Sequence, residues 1–464
     1  MTTSEWKTVS FINRDTPAAI VSEEIDLDKC FNQNEIVVEV YAASLNPIDF
    51  MLHKSAIARL SSGKPKAYGR DFSGIIIRRG DSVSEEWKIG DKINGMISYI
   101  YSPHGSFSNY LIINPESTPS MTHIVPETSN LVTEQYNEFV ISCSWPLVFG
   151  TAYAAIFHPG RDWTKINNVL VLGASTQVAN CFVQIVKNHF NVKNAVGVCN
   201  EGSIEYNKQF GYDYLASYNN NKTVQNVKQI MVEKLDNEKF DVIFDSCGSN
   251  DFLPIMNEFL KPKETHSYYS TVVGDSVFNY ETVDTFALLK LRLIIQPYRR
   301  LKPWRSYDYY FNMCYPNKQV EILANEMITK GQFKPQIDSL YDFNDFQKAI
   351  DRAVSGKCKV FTIHFVVNLK SNPIGKNISS EEFLEYMFQP VVFWVKSESD
   401  KKQNKKDGQN YEKLEHRKVS HTITNELFRL MMDSYLESIG RKLFNSNEPR
   451  NENYPEPNWS KIIH

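Results

Sequence analysis

The chain has 464 residues, 42% of them apolar and 23% charged, with 51 basic side chains against 54 acidic ones and a formal net charge of −3. That composition is ordinary for a globular protein of roughly two to four domains, and it excludes a chain disordered throughout, a collagen-like repeat or a coiled-coil rod. The near-neutral balance supplies no global basic field for nucleic acid, and no apolar run approaches the ~18 residues of a membrane span. The polar stretch Met1 to Asn13 lacks the apolar core of a secretory signal, so an intracellular protein is expected. Seven cysteines (Cys30, Cys143, Cys181, Cys199, Cys247, Cys314 and Cys358) are odd in number, scattered and never in a C-x-x-C pair. They read as small buried hydrophobes in a reducing compartment rather than as disulfides or a zinc module.

In chain order, the first third is β-rich. Glu35 to Val40 (EIVVEV) has strand periodicity, and apolar runs follow at Ser73 to Ile77 and Lys92 to Ile100. Gly69, Gly74, Gly80, Gly90, Gly95 and Gly105 punctuate them, which suggests a compact barrel-like domain. The texture changes near Trp145. Asn168 to Leu172 (NVLVL) is a continuous apolar strand of the kind buried on both faces. Gly173 ends it, and Val178, Cys181, Phe182 and Ile185 then recur at helical spacing. Ala195 to Val198, Phe240 to Phe244 and Ser267 to Val273 are further strands, and Ile204 to Phe210 is a short helix. Strand alternating with helix predicts a doubly wound parallel sheet. A third region starts near Asn368 and carries the lysine-bearing run Ser397 to Gln409, read with 397–420 as a flexible, solvated segment. Leu427, Phe428, Met431, Tyr435, Ile439 and Leu443 follow at amphipathic helical spacing.

The chemistry-bearing motif is the turn G-A-S-T-Q-V-A from Gly173 to Ala179. A strand–turn–helix of this kind brings a pyrophosphate against backbone N–H groups at a helix N-terminus. Gly173 and Ala179 fit the first and third glycine positions of the dinucleotide fingerprint, while Thr176 replaces the second and puts a side chain in the phosphate's approach. After the second strand, Asn200 and Ser203 are neutral hydrogen-bonding groups that permit a 2′-phosphate, and Glu201 argues mildly the other way. An ordinary polar loop remains the alternative there. Asn46-Pro47 also reads as a plain turn, and Thr151 as a cap for the helix over Ala152 to Phe157.

Several segments, taken in order, resemble the medium-chain dehydrogenase/reductase superfamily in its zinc-free quinone-oxidoreductase branch. They are A-A-S-L-N-P-I-D at Ala42, G-R-D-F-S-G at Gly69, G-D-K-I-N-G at Gly90 and G-S-F-S-N-Y at Gly105. W-P-L-V-F-G-T-A-Y at Trp145, the V-L-V-L-G-A-S strand-turn, F-G-Y-D-Y-L-A-S-Y at Phe210, F-D-V-I-F-D-S-C-G at Phe240 and S-G-K-C-K-V at Ser355 complete the series. The degenerate turn is similar to that of the fungal Yim-type and Ast-type proteins of the superfamily, some of which are linked to lipid droplets, mitochondria or plasma-membrane ATPase delivery. The resemblance covers roughly residues 5–366.

The resemblance implies an α/β protein with a GroES-like β-barrel domain over 1–145 and a Rossmann domain over 146–340. Residues 341–367 return to the first domain, and 368–464 form a C-terminal extension. It implies NADPH and a quinone, enone or carbonyl substrate in the cleft between the domains. Residue by residue, Asn46, Asp49 and Thr151 match catalytic positions near the nicotinamide. Gly173, Ala174, Ser175, Thr176, Gln177 and Val178 form the cofactor turn, and Asn200, Ser203 and Tyr218 fall where the 2′-phosphate is gripped. Gly248 and Gly274 fall on loops passing the adenine and nicotinamide sides, Lys357 matches the cofactor-side lysine of the closing G-K, and Met51 stands where some relatives carry a tyrosine. Zinc users need Cys at the place of Asn46 and Gly-His-Glu at Gly69-Arg70-Asp71, so no zinc or other metal is expected. The remaining expectations are a small-molecule substrate, no nucleic acid, a homodimer, and a cytoplasmic protein with peripheral membrane, lipid-droplet or mitochondrial association. The rival reading is a reductase fold that lost turnover and serves in trafficking or stress response.

Overall fold

Nine residues of Ile36–Leu45 are branched, small or aromatic, and most are buried, which suits a strand covered on both faces. In the computed structural model this run is the central antiparallel strand, β3. The structure describes residues 3–56, 63–98, 102–274 and 305–355, with the backbone of 363–366 and 392–394. β1 (Thr3–Phe11), β2 (Ala19–Asp26) and β4 (Lys66–Ala67) form one small antiparallel sheet. β3 pairs on one edge with β5 (Asp71–Arg79), which leads through β6 (Lys92–Met96) to β8 (Met121–His123). Its other edge is shared by β7 (Tyr110–Ile113), opposite Ile36 to Glu39, and by the later strand Ile363–Val366, opposite Ala42 to Leu45. A short helix, α1 (Pro47–Lys54), leaves the end of β3.

α2 (Glu138–Cys143) and α3 (Pro146–Phe157) then carry the chain across to a six-stranded sheet. Its strands are β9 (Asn168–Leu172), β10 (Asn194–Cys199), β11 (Tyr214–Ser217), β12 (Val242–Asp245), β13 (Tyr268–Thr271) and β14 (Asp308–Phe311). All pairings are parallel, in the order β11-β10-β9-β12-β13-β14. The order reverses between β9 and β12, and the crevice outside the C-terminal ends of strands at such a reversal is where open α/β sheets bind ligands. Every residue of β9 is buried, as its unbroken apolar run predicts. α4 (Gln177–Gln184) packs on one face, where the Phe182 ring stacks on Phe244 at 4.3 Å. α5 (Ile204–Asn207) follows β10, and α6 (Thr223–Lys234) and α7 (Met256–Phe259) follow β11 and β12. After β14 comes α8 (Lys318–Thr329), then β15 (Leu340–Asp342) back in the antiparallel sheet, and α9 (Phe346–Val354).

The chain divides into two compact units, 1–400 and 401–464. The lysine run, the amphipathic stripe from Leu427 and Lys357 lie outside the described residues. One stretch differs from the expectation that nothing approaches a membrane-spanning run. Glu138–Phe157, the span of α2 and α3, contains an 18-residue window with a mean hydropathy of 1.6, yet 89% of that window is buried inside the protein. Its apolarity serves the core, where Val148, Phe149 and Ala152 of α3 join Val169 of β9 and Phe182 of α4. Thr151 is also corrected as a cap. The helix begins at Pro146, so Thr151 lies mid-helix and its hydroxyl donates to Leu147 O at 2.8 Å.

Candidate functional site

Two groups of side chains make up the candidate site. The first grows from the end of β3. Asn46 takes extended backbone at the N-cap of α1, with Pro47 at the first helical position, where its missing N–H costs nothing. Asp49 folds back, and its Oδ2 accepts the Asn46 backbone N–H at 2.7 Å. Ser44 stands directly opposite Asp71 in the β3–β5 ladder. The Asp71 Oδ2 accepts Ser44 Oγ and Asn46 Nδ2, both at 2.9 Å, and its Oδ1 accepts Leu147 N–H at 3.1 Å in the first turn of α3.

Both carboxyls are buried, and both hold their protons more tightly than ordinary carboxylates. Burial pushes Asp49 up to about 8, opposed by the Asn46 N–H and Arg70 and aided by the charge of Asp71. Burial likewise pushes Asp71 up to about 7, opposed by its hydrogen bonds from Asn46 and Ser44. The Asn46 Oδ1 is a buried acceptor with no hydrogen-bond partner. Cys314 Sγ lies 3.8 Å from Met96 Sδ, and burial pushes its thiol up to about 12. At Gly150, beside Thr151, a Cβ would stand 2.6 Å from Cys314 Sγ, so any side chain there requires the sulfur to shift. Glu321 on α8 is buried with neither carboxylate oxygen hydrogen-bonded; burial, with the charge of Asp71 adding, raises it well above the carboxylate range.

The second set lies at the C-terminal ends of the parallel strands. Gly173 has φ +80°, and a Cβ would meet Ser246 Oγ at 2.8 Å and Cys247 Cβ at 2.9 Å. Its N–H and that of Ala174 bond Val198 O, which pins the turn to β10. Thr176 is the N-cap of α4: its hydroxyl accepts Ala179 N–H at 3.2 Å and donates to Ser246 Oγ at 2.7 Å. The backbone N–H groups of Gln177 and Val178 belong to the helix's first turn, which has no acceptors of its own. Ser175 Oγ accepts Asn207 Nδ2 at 2.7 Å, and Asn207 also donates to Ser203 O at 2.8 Å, so the turn and the β10 loop are tied. Asn200 caps that loop through Gly202 N–H at 2.9 Å. Tyr218 follows β11 with 48% of its surface exposed, and its N–H bonds Cys199 O at 3.1 Å. Asp245, at the end of β12, accepts the N–H groups of Cys247 and Gly248 at 2.9 and 2.8 Å and the Tyr269 hydroxyl at 2.7 Å. Gly248 and Gly274 both take left-handed backbone, at φ +80° and +90°.

Residues 32–120 match the family described as the alcohol dehydrogenase GroES-like domain. The chain is 43% identical over 355 residues to Protein YIM1 of Saccharomyces cerevisiae (strain YJM789), covering 76% of this chain and 96% of that protein. The chain is a YIM1-family member of the medium-chain dehydrogenase/reductase superfamily. Solved members of this superfamily share its fold. The quinone oxidoreductase from Coxiella burnetii superposes with a TM-score of 0.56 at 16% identity, over 78% of this chain and 100% of that one. A short chain alcohol dehydrogenase (rspB) from Escherichia coli CFT073, complexed with cofactor NADH, gives 0.56 at 16% identity, over 78% and 99%.

In this YIM1-family chain the structure brings Asn46, Asp49 and Thr151 into one region through Asp71 and the first turn of α3. It brings Gly173 to Val178, Asn200, Ser203, Tyr218, Gly248 and Gly274 to one edge of the parallel sheet. Arg70, where zinc users carry histidine, donates Nε to Ile97 O at 3.0 Å. Among the described residues there is no group of three or more His, Cys, Asp or Glu that could hold a metal ion. The sequence reading missed Asp71 as a working side chain, together with Cys314 and Glu321. Asp71 was within reach, since G-R-D-F-S-G was already in hand; Glu321 sits in an amphipathic helix where a glutamate usually marks the solvent face.

Proposed function

We propose that this protein is an NADPH-dependent, zinc-independent reductase of a small molecule bearing a quinone, enone or carbonyl group. The observation that carries the reading is the Gly173 turn: left-handed glycine at the tip of the central strand, with the first turn of α4 directly behind it. Gly173 to Val178 would hold the pyrophosphate, with Asn200, Ser203 and Tyr218 at the 2′-phosphate, Gly248 and Gly274 along the remaining loops, and Lys357 as a further cofactor contact. The bound cofactor would supply the hydride. Asn46, with its orphaned Oδ1, would orient a donor group of ligand or substrate. Asp49, protonated at neutral pH, would hold at its carboxyl the proton that a reduced oxygen takes up. That role matters because Met51 offers no proton. Consumption of NADPH with a panel of quinones and enones by purified protein tests the reading, with Asp49→Asn as the variant that should slow it.

A second reading is a reductase fold working in membrane- or lipid-droplet-associated trafficking or stress response. The Thr176 hydroxyl and Ser246 close over the turn, and that favours it. Absence of NADPH binding would move the weight to this reading.

A further inference from the structure

We propose that Gln177 is a positioning residue: among the described residues it clasps two places where the chain crosses between the antiparallel sheet and the parallel one. Through them it sets where Asn46 and Asp49 stand relative to the Gly173 turn. This rests on the reading of that turn as the cofactor site.

Gln177 is the first residue of α4 and is 1% exposed. Its amide has two hydrogens to give. One goes to Ser144 O and the other to Gln336 O, both at 2.8 Å. Ser144 stands between α2 and α3, where the chain leaves the antiparallel body. Gln336 lies between α8 and β15, where it returns. One side chain therefore holds the outgoing and the incoming strand of the hinge, and its backbone is part of the turn.

The return segment is fastened further along α4 and along the π-helical turn Ile185–His189 that continues it. Gln184 Oε1 accepts Lys334 N–H at 2.8 Å and its Nε2 donates to Lys334 O at 3.2 Å, while Asn188 Nδ2 donates to Gln332 O at 2.6 Å. Those contacts grip the incoming strand alone. Only Gln177 among these three reaches the outgoing one, two residues before the helix that carries Leu147 and Thr151. An apolar residue would fill the same space, so packing does not explain an amide here. Two backbone carbonyls from distant segments, aimed at one buried point, do require a two-hydrogen donor.

The test is hydrogen–deuterium exchange on the full chain, comparing wild type with Gln177→Leu and Gln184→Leu, together with kcat, KM and NADPH affinity. Gln177→Leu should speed exchange in residues 142–148 and 333–339 together, by about fivefold for the loss of one hydrogen bond each. β9 and β12 should stay protected. The kcat should fall at least as much as the affinity. Gln184→Leu should loosen 333–339 alone. If Gln177→Leu does not fold, Gln177→Asn, with a shorter arm and the same amide, should give a smaller loosening at both crossings. Loosening at one crossing only, loosening throughout the sheet, or an unchanged kcat beside loosened crossings would overturn the clasp. A wild type that binds no NADPH would overturn the cofactor reading and, with it, the positioning role; the exchange comparison would still report whether the hinge is held as described.

Discussion

The carboxylate of Asp71 accepts the backbone N–H of Leu147 at 3.1 Å, joining β5 to the first turn of α3 across 76 residues of chain. Its other oxygen takes Ser44 and Asn46. One buried carboxyl thus fixes a strand pair, the N-cap of α1 and the start of the helix that carries Thr151. A carboxyl at a helix N-terminus is also favourably placed in the helix dipole.

Asp71→Asn should therefore be costly although it is nearly isosteric. The amide's NH₂ must face either Leu147 N–H or the Ser44 and Asn46 donors, leaving a buried donor unpaired. A loss of roughly 1–3 kcal/mol is expected in chemical denaturation. Asp71→Glu should not restore it, because the longer arm misplaces both oxygens.

Asp49→Asn should behave in the opposite way. Asn can still accept the Asn46 N–H, and it removes a buried ionisable group. Burial raises the folded pKa of Asp49 to about 8, above the ordinary ~3.9 of an unfolded aspartate. Between those values the native state holds a proton that the unfolded state has lost. Stability contributed at low pH is then lost as pH rises through that window. Denaturation midpoints measured from pH 5 to 8.5 should fall less steeply in Asp49→Asn than in wild type, while quinone reduction by the variant slows. An unchanged slope would mean that Asp49 does not hold its proton in the fold.

Thr176 caps α4 and bonds Ser246. Thr176→Ala should cost about 1 kcal/mol in stability, the usual value of a lost N-cap. Thr176→Gly should cost only a few tenths, since glycine is tolerated at this position. By freeing the approach to the Gln177 and Val178 N–H groups it should tighten NADPH binding about fivefold, read by fluorescence titration. Weaker binding would make the threonine hydroxyl itself a phosphate ligand.

Gly150→Ala would normally strengthen a helix by roughly 1 kcal/mol. Here the added Cβ meets Cys314 Sγ at 2.6 Å, so the substitution should destabilise by about 1–3 kcal/mol instead. In a Cys314→Ala background the sulfur is gone, and the same change should be neutral or stabilising. A thermal-melt double-mutant cycle reads the difference.

The fold was legible because it rests on local patterns. NVLVL ending at Gly173, with apolar residues at helical spacing after it, declares a buried strand, a turn and a helix without any distant information. Asn200 followed from the loop after the second strand, whereas Tyr218 and Gly248 came only from the resemblance to the superfamily. What stayed hidden depends on partners far away in sequence. Gln177 reads as part of a turn, and only the fold reveals carbonyls 33 and 159 residues distant at its amide. Thr151 looked like a cap because the helix was started six residues late; Pro146 at the first helical position was the signal that could have corrected it. Glu321 offered none, since its burial comes from the packing of α8 on α3 and β8 rather than from helix periodicity.

If the Gly173 turn holds the cofactor, titration of the purified full chain with NADPH and NADH, followed by nicotinamide fluorescence, will show it. Saturable binding is expected, tighter for NADPH, with Tyr218→Ala narrowing the preference. Binding of neither nucleotide at millimolar concentration would contradict a cofactor role for the turn.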